Sequence, residues 1–368
     1  MQFDDSETQK LLRDTARSYL ADRFPLERLY ALEQGERLSE AELRGFAELG
    51  WPGLLAPDPA GGGGPDGPVS GASLLEAAAV IEEFGYAGVP APVTVCNVVA
   101  ALLPDGEHLR ALATGERLYT VAEACRRSAN GVTGDPLSAS GGTLSGTLPL
   151  VPFAGVAEYV LAPLRLDGAP AFALLSLADV HLEPVDTLDR RPYHHVHFEG
   201  AALDDALVLA RGDEAEALGE RCDALVTALS LVELAGMMRR VLEMTGEYIS
   251  NRVQFGQPIA KFQAARHRAA ELLMQTESTR WAAYHALWRL QQDPDAAAEV
   301  WLAKHWAIRA AGRVFEVSHL LHGGVGVGME YPLHLYTQAI ASFAVRGGTM
   351  DEMTSRTLES LRAGAAAR

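Results

Sequence analysis

Cysteine is scarce. The 368 residues hold three, Cys96, Cys125 and Cys222, far apart and odd in number. They make no CxxC, no zinc spacing and no disulfide framework, which fits a reducing cytosol. Positive charge is also short. Lys and Arg number 31 against 48 Asp and Glu, a formal charge of −17. That balance argues against nucleic acid or an anionic membrane as the main partner, while leaving room for a local basic pocket. Long apolar runs are missing too, so no segment is expected to span a bilayer. The opening MQFDDSETQKLL has neither the basic n-region nor the apolar core of a secretory leader. These absences point to a cytoplasmic protein. What is present is ordinary for a globular chain: 48% hydrophobic and 21% charged residues exclude a disordered one.

The first third reads as helical. Leu11, Leu12, Ala16, Tyr19 and Leu20 share a helical face, and Pro25 stops the run. Ser39 with Glu42, and Ser73 with Glu76, are capping-box pairs. They predict helices ending near Gly50 and at Gly85. Between them Pro57 to Pro68, with four consecutive glycines, reads as a loop. From about Leu118 to Leu209 the pattern changes. Val160–Ala162, Phe172–Leu175 and Val196–Phe198 are short β-prone runs punctuated by Gly, Pro and Asp. Beyond Asp213 the chain is helical again, in runs Leu225–Arg252, Phe262–Asp293, Ala296–His322 and Leu333–Leu361, the last interrupted at Gly347-Gly348. The expected fold class is α+β: an N-terminal α-helical domain (1–116), a small middle β-barrel or sandwich domain (117–211) and a C-terminal four-helix bundle (212–368).

Two motifs carry chemistry. Asn251 to Phe262 reads NRVQFGQPIAKF, between two long helices. An arginine just before a glycine-permitted turn can hold a phosphate with its guanidinium fork, or can simply cap a helix C-terminus. The residues alone leave both open. The second motif is His322-Gly323-Gly324-Val325-Gly326, followed by Glu330-Tyr331-Pro332. Together with Gln263, Arg266 and His267, these closely resemble the two bundle motifs of the acyl-CoA dehydrogenase family. The α–β–α order fits as well, so the resemblance covers essentially the whole chain and is most specific in its last third.

That resemblance implies an FAD flavoenzyme, tetrameric or a pair of dimers, that oxidises an acyl-CoA substrate to enoyl-CoA. A carboxylate removes the α-proton as a hydride moves to the flavin. An electron-transfer flavoprotein-type acceptor follows. By the same resemblance Arg252 would reach the FAD pyrophosphate of the neighbouring subunit. Phe255 and Gln263 would make further flavin contacts, and Gly323 and Gly324 would let backbone approach the adenosine side.

The chain also departs from the family. The glycines of the flavin-binding β-segment are gone from Thr120-Val121-Ala122-Glu123-Ala124-Cys125-Arg126-Arg127-Ser128, and the Trp-x-Thr strand motif is replaced by Leu148-Pro149-Leu150-Val151-Pro152. Leu320 stands where a glutamine usually precedes the two glycines. The usual position of the catalytic base is Arg346, or Gly347, and arginine has no lone pair to take a proton. A second family register for the base falls at Val226-Thr227, and Glu220-Arg221 resembles its motif about six residues too early. Glu233, in an apolar helical stretch, is the remaining candidate base, or else a structural hydrogen-bonding residue. The groups offered to a neighbour are kept and those used in cis are lost. The sequence therefore resembles the base-lacking partner subunit of the bacterial heterotetrameric enzymes. The alternatives are a self-sufficient homotetramer using Glu233 and a non-oxidising dehydrogenase-like enzyme.

Weaker signals complete the reading. Tyr193-His194-His195-Val196-His197 puts His195 and His197 on one strand face, with no acidic or cysteine ligand spaced to complete a metal site, so no metal is expected. His267, His305 and His319 read as bundle histidines. Trp281, Tyr284 and Trp288 read as core or interface packing.

Overall fold

The computed structural model describes residues 4–57, 71–122 and 137–366. Six helices come first: α1 (Glu7–Arg23), α2 (Leu26–Glu33), α3 (Glu40–Glu48), α4 (Leu74–Ala87), α5 (Val93–Leu102) and α6 (Glu107–Ala113). Eight strands follow: β1 (Tyr119–Val121), β2 (Ser138–Ser140), β3 (Thr143–Pro152), β4 (Tyr159–Leu166), β5 (Ala169–Ser176), β6 (His181–Val185), β7 (Tyr193–Ala202) and β8 (Val208–Arg211). They form one sheet in the order β6-β7-β3-β2-β4-β5-β8, with β1 parallel to β4. The three β-prone runs lie in β4, β5 and β7. The C-terminal part holds α7 (Asp213–Asn251), the short strands β9 (Val253–Gln254) and β10 (Gln257–Pro258), α8 (Gln263–Gln292), α9 (Ala298–His322), α10 (Gly324–Val327), α11 (Leu333–Val345) and α12 (Met350–Ala366). The architecture is α, then β, then α. No helix among the described residues is long and apolar enough to cross a membrane.

Local chemistry explains some element ends. Ser39 and Ser73 each accept from the backbone three residues on, and Glu42 and Glu76 reach back to them. Two expectations need correction, and a third is borne out. Leu11 is 68% exposed; one residue turns the helix by roughly 100°, so Leu11 and Leu12 cannot both face the core. Gly85 does not end α4, which runs on to Ala87 and is closed by left-handed Gly88. Gly85 serves packing instead: a Cβ there would lie 1.9 Å from the carbonyl oxygen of Glu233, and one on Gly236 would lie 2.0 Å from that of Glu82. The helices α4 and α7 therefore cross backbone to backbone. The last helical run is two helices, because Gly347 and Gly348 take φ of 76° and 112° between α11 and α12.

The stretch 58–68 of the glycine-rich loop, and Glu123–Ser128 with Cys125, lie outside the described residues.

Candidate functional site

The helix α7 ends at Asn251. Arg252 bonds its backbone N–H to the Tyr248 carbonyl at 2.8 Å and then turns into extended backbone. A two-residue turn, Phe255 (φ 54°) and Gly256 (φ 78°), joins β9 to β10. Tight hairpins ask for positive φ at both positions. Glycine adopts it freely, whereas phenylalanine is strained there. The Phe255 ring is 92% exposed, edge-on to Phe262 at 6.1 Å. A strained backbone that presents an aromatic ring to the outside is the kind of outlier that function explains. Arg252 and Gln263, which opens α8, are exposed beside it.

The second motif sits at the same end of the bundle. Gly323 closes α9 with φ 59°, and a Cβ on Gly323 or Gly324 would meet nothing within 4 Å. Tyr248 of α7 stacks on His322, with ring centroids 4.6 Å apart. The structure thus brings Arg252, Phe255, Gln263, Gly323 and Gly324 to one open bundle end. Leu320, 58% exposed, lies one turn before the glycines.

The base registers meet elsewhere. Arg346, Gly347, Val226 and Thr227 line one cavity of about 30 Å³, with Asp223, Ser230, Lys304 and Phe343. That volume suits a water, not an acyl chain. The Arg346 guanidinium donates to the Tyr193 hydroxyl and lies 3.5 Å from Asp189. Buried Lys304 donates to the Phe343 carbonyl at 2.8 Å, its nitrogen 3.5 Å from that ring's centroid. Among these lining residues Asp223 is the carboxylate, and Arg356 lies 3.5 Å from it. Glu220 also pairs with Arg356, on the outside. Glu233 is 3% exposed and does not line this cavity. One oxygen takes the Arg191 guanidinium and the other the Thr94 hydroxyl at 3.1 Å. Both carboxylate oxygens are thus engaged within the fold, one of them in a buried ion pair.

The middle domain shows the same inward satisfaction. Thr120 is fully buried and its hydroxyl donates to the Pro152 carbonyl at 2.6 Å. Leu150, at φ 50°, donates its N–H to His195 Nδ1 at 3.3 Å. Sequence reasoning missed an acidic neighbour of the histidine run: Glu183 of β6 lies 3.0 Å from His197 Nε2, because the two strands pair. Even so, no group of three His, Cys, Asp or Glu among the described residues is arranged to hold a metal ion. His267 is exposed, while His305 and His319 bond to neighbouring bundle groups.

The chain resembles known proteins over most of its length. Residues 6–107 match the model of the acyl-CoA dehydrogenase N-terminal domain, and residues 227–361 that of the C-terminal domain. The chain is 31% identical over 345 residues to acyl-CoA dehydrogenase FadE27 of Mycobacterium tuberculosis, spanning 86% of this chain and 88% of that one. A chain of the ChsE4-ChsE5 complex of the same organism superposes with a TM-score of 0.85 at 26% identity, over 98% of this chain and 99% of that one. A variant of the Tcur3481-Tcur3483 steroid ACAD gives 0.82 at 25% identity, with the same coverage. Domain models at both ends, and a relative at this identity over most of the chain, place it in the acyl-CoA dehydrogenase family of FAD-containing oxidoreductases.

Proposed function

We propose that this chain is the non-catalytic subunit of a heteromeric FAD-dependent acyl-CoA dehydrogenase, completing the flavin site of a base-bearing partner. One observation carries the reading. The groups that face a neighbour are exposed and open, while those an enzyme would use in cis are spent on the chain itself. Arg252, Phe255, Gln263 and the bare backbone at Gly323 and Gly324 are free to meet a ligand at one bundle end. Thr120, Glu233 and Arg346 are bonded inward, and the cavity at the base registers holds about 30 Å³. The likeness to the ChsE4-ChsE5 complex and to the Tcur3481-Tcur3483 steroid ACAD supports a heteromer, and the latter favours a steroid-derived acyl-CoA as substrate of the whole assembly.

The exposed end fits FAD in chemistry. Bound FAD supplies the hydride acceptor. Arg252 would fork its pyrophosphate, Phe255 would offer a ring face, and Gln263 would hydrogen-bond. Glycine at 323 and 324 would admit close backbone contact. The partner would supply the carboxylate and the acyl tunnel.

The test is flavin content. Made alone, the chain should elute from size exclusion with little absorbance in the flavin bands. Made with its base-bearing partner, it should elute with stoichiometric FAD and oxidise acyl-CoA. A yellow, active homotetramer of this chain alone overturns the reading and returns Glu233 as the candidate base.

A further inference from the structure

The two motifs of the open bundle end are far apart in sequence, and three rings join them. Tyr248, one turn before Arg252, stacks on His322, which immediately precedes Gly323; the ring planes lie 26° apart. Tyr331 closes the group, 5.0 Å from His322 and 6.1 Å from Tyr248 between centroids. Each motif hangs from the turn that carries a ring. The Arg252 N–H bonds to the Tyr248 carbonyl at 2.8 Å, and the Gly323 N–H to the His319 carbonyl at 2.9 Å. His322 is 2% exposed. Its Nδ1 is 2.8 Å from the Ser318 carbonyl, so Nδ1 carries the proton. Nε2 then accepts from the Tyr331 hydroxyl at 3.2 Å.

We infer that Tyr248, His322 and Tyr331 are positioning residues that hold Arg252 and the Gly323-Gly324 backbone in one register, so that the phosphate and adenosine ends of the flavin meet a preformed surface. This rests on the flavin reading given above. The physical reason is the openness of both motifs. Arg252 is exposed and no atom lies within 4 Å of a Cβ on either glycine, so their spacing is set from beneath. A guanidinium fork is worth its full strength only when held in place before the ligand arrives.

The arrangement needs neutral His322. A second proton on Nε2 would face a hydroxyl now aimed at it as a donor. The groups around the ring are Tyr248 from α7, His319 and Ser318 from its own helix, and Tyr331, itself near Glu247 and Arg240. Burial holds His322 below the usual histidine range, the Ser318 carbonyl opposes that, and His319 adds to it.

Hydrogen exchange on the full chain, with FAD titration of the assembly that the tagged chain forms in its own cells, tests this. Tyr248→Leu alters α7 alone. It should speed exchange at Gly323 and Gly326, across the stack, about tenfold or more, along with Ile259, whose N–H bonds to the Arg252 carbonyl. It should raise the FAD Kd roughly tenfold, and Tyr248→Phe should restore both. Retention of FAD should fall in acid, at a pH below the usual histidine range, and His322→Gln, with no proton to gain, should flatten that fall. Unchanged exchange at Gly323 in Tyr248→Leu overturns the inference even in an assembly full of flavin. Faster exchange at both motifs with unaltered FAD affinity overturns it as well. A parent assembly free of flavin overturns the reading of the half-site itself.

Discussion

Glu233 and Arg252 lie on one helix and its end, yet they behave oppositely. Glu233 is sealed against Arg191 and Thr94, so changing it is a matter of stability. Glu233→Gln leaves the Arg191 guanidinium buried without its counter-charge, which should cost about 3–5 kcal/mol in urea unfolding. Replacing both by methionine should recover most of that, because the pair's own desolvation disappears with it. A Glu233→Gln chain as stable as the parent would show that the pair is not formed in solution. Arg252 is exposed and its change should leave unfolding alone. Arg252→Ala should instead cost about 1.5–3 kcal/mol of flavin binding, a tenfold or larger loss of affinity. Arg252→Lys should recover part of it, lacking the fork. Equal FAD affinity in all three proteins would make Arg252 a helix-end residue only.

At the scale of elements, the α4–α7 crossing is the tightest joint. Gly85→Ala or Gly236→Ala would drive a Cβ to within about 2 Å of a facing carbonyl oxygen, so the helices must part along their length. Overpacking of a backbone contact should cost at least about 3 kcal/mol, read as a lower urea midpoint. A loss below about 1 kcal/mol would mean that the crossing is looser in solution. This joint also shows what could be read in advance. Caps, periodicity and turn residues act over a few neighbours, so Ser39, Ser73 and the Phe255-Gly256 turn announced themselves. Gly85 did not, because a glycine admitting another helix and one ending its own look alike in one dimension. The two bundle motifs were legible as turns for the same local reason, whereas their assignment to a flavin came from resemblance to a family and not from the residues alone. The small cavity at the base registers was not legible: it is built from positions between 223 and 347, and Thr94 meets Glu233 across 139 residues. Only packing decides such meetings.

At the scale of the whole molecule, the N-terminal helices and the bundle are fastened together by a buried ionic knot that no spacing announced. Glu82, fully buried on α4, accepts from Arg13 of α1, Arg239 of α7, and Arg280 and Tyr284 of α8. Glu83 beside it takes Arg13, Arg17 and Arg239. The knot therefore ties the first helices to the bundle. Burial alone would raise the pKa of Glu82, but Arg13, Arg280 and Arg239 outweigh it and hold it at about 2. The sign follows from linkage. The folded state keeps the carboxylate ionised where the unfolded chain, with its glutamate near 4.5, would already be protonated. The stabilisation is full above about pH 5 and is lost as pH falls from there towards 2. It amounts to about 3 kcal/mol. Acid also relieves the self-repulsion of a chain carrying −17, so the parent's own profile mixes two effects. Glu82→Gln separates them, since both proteins share the surface charge. Urea unfolding from pH 7 downwards should show the variant less stable by at least about 3 kcal/mol and the gap closing below about pH 4.5. A gap that stays constant into acid would mean that Glu82 holds the helices together by shape, with its charge contributing nothing.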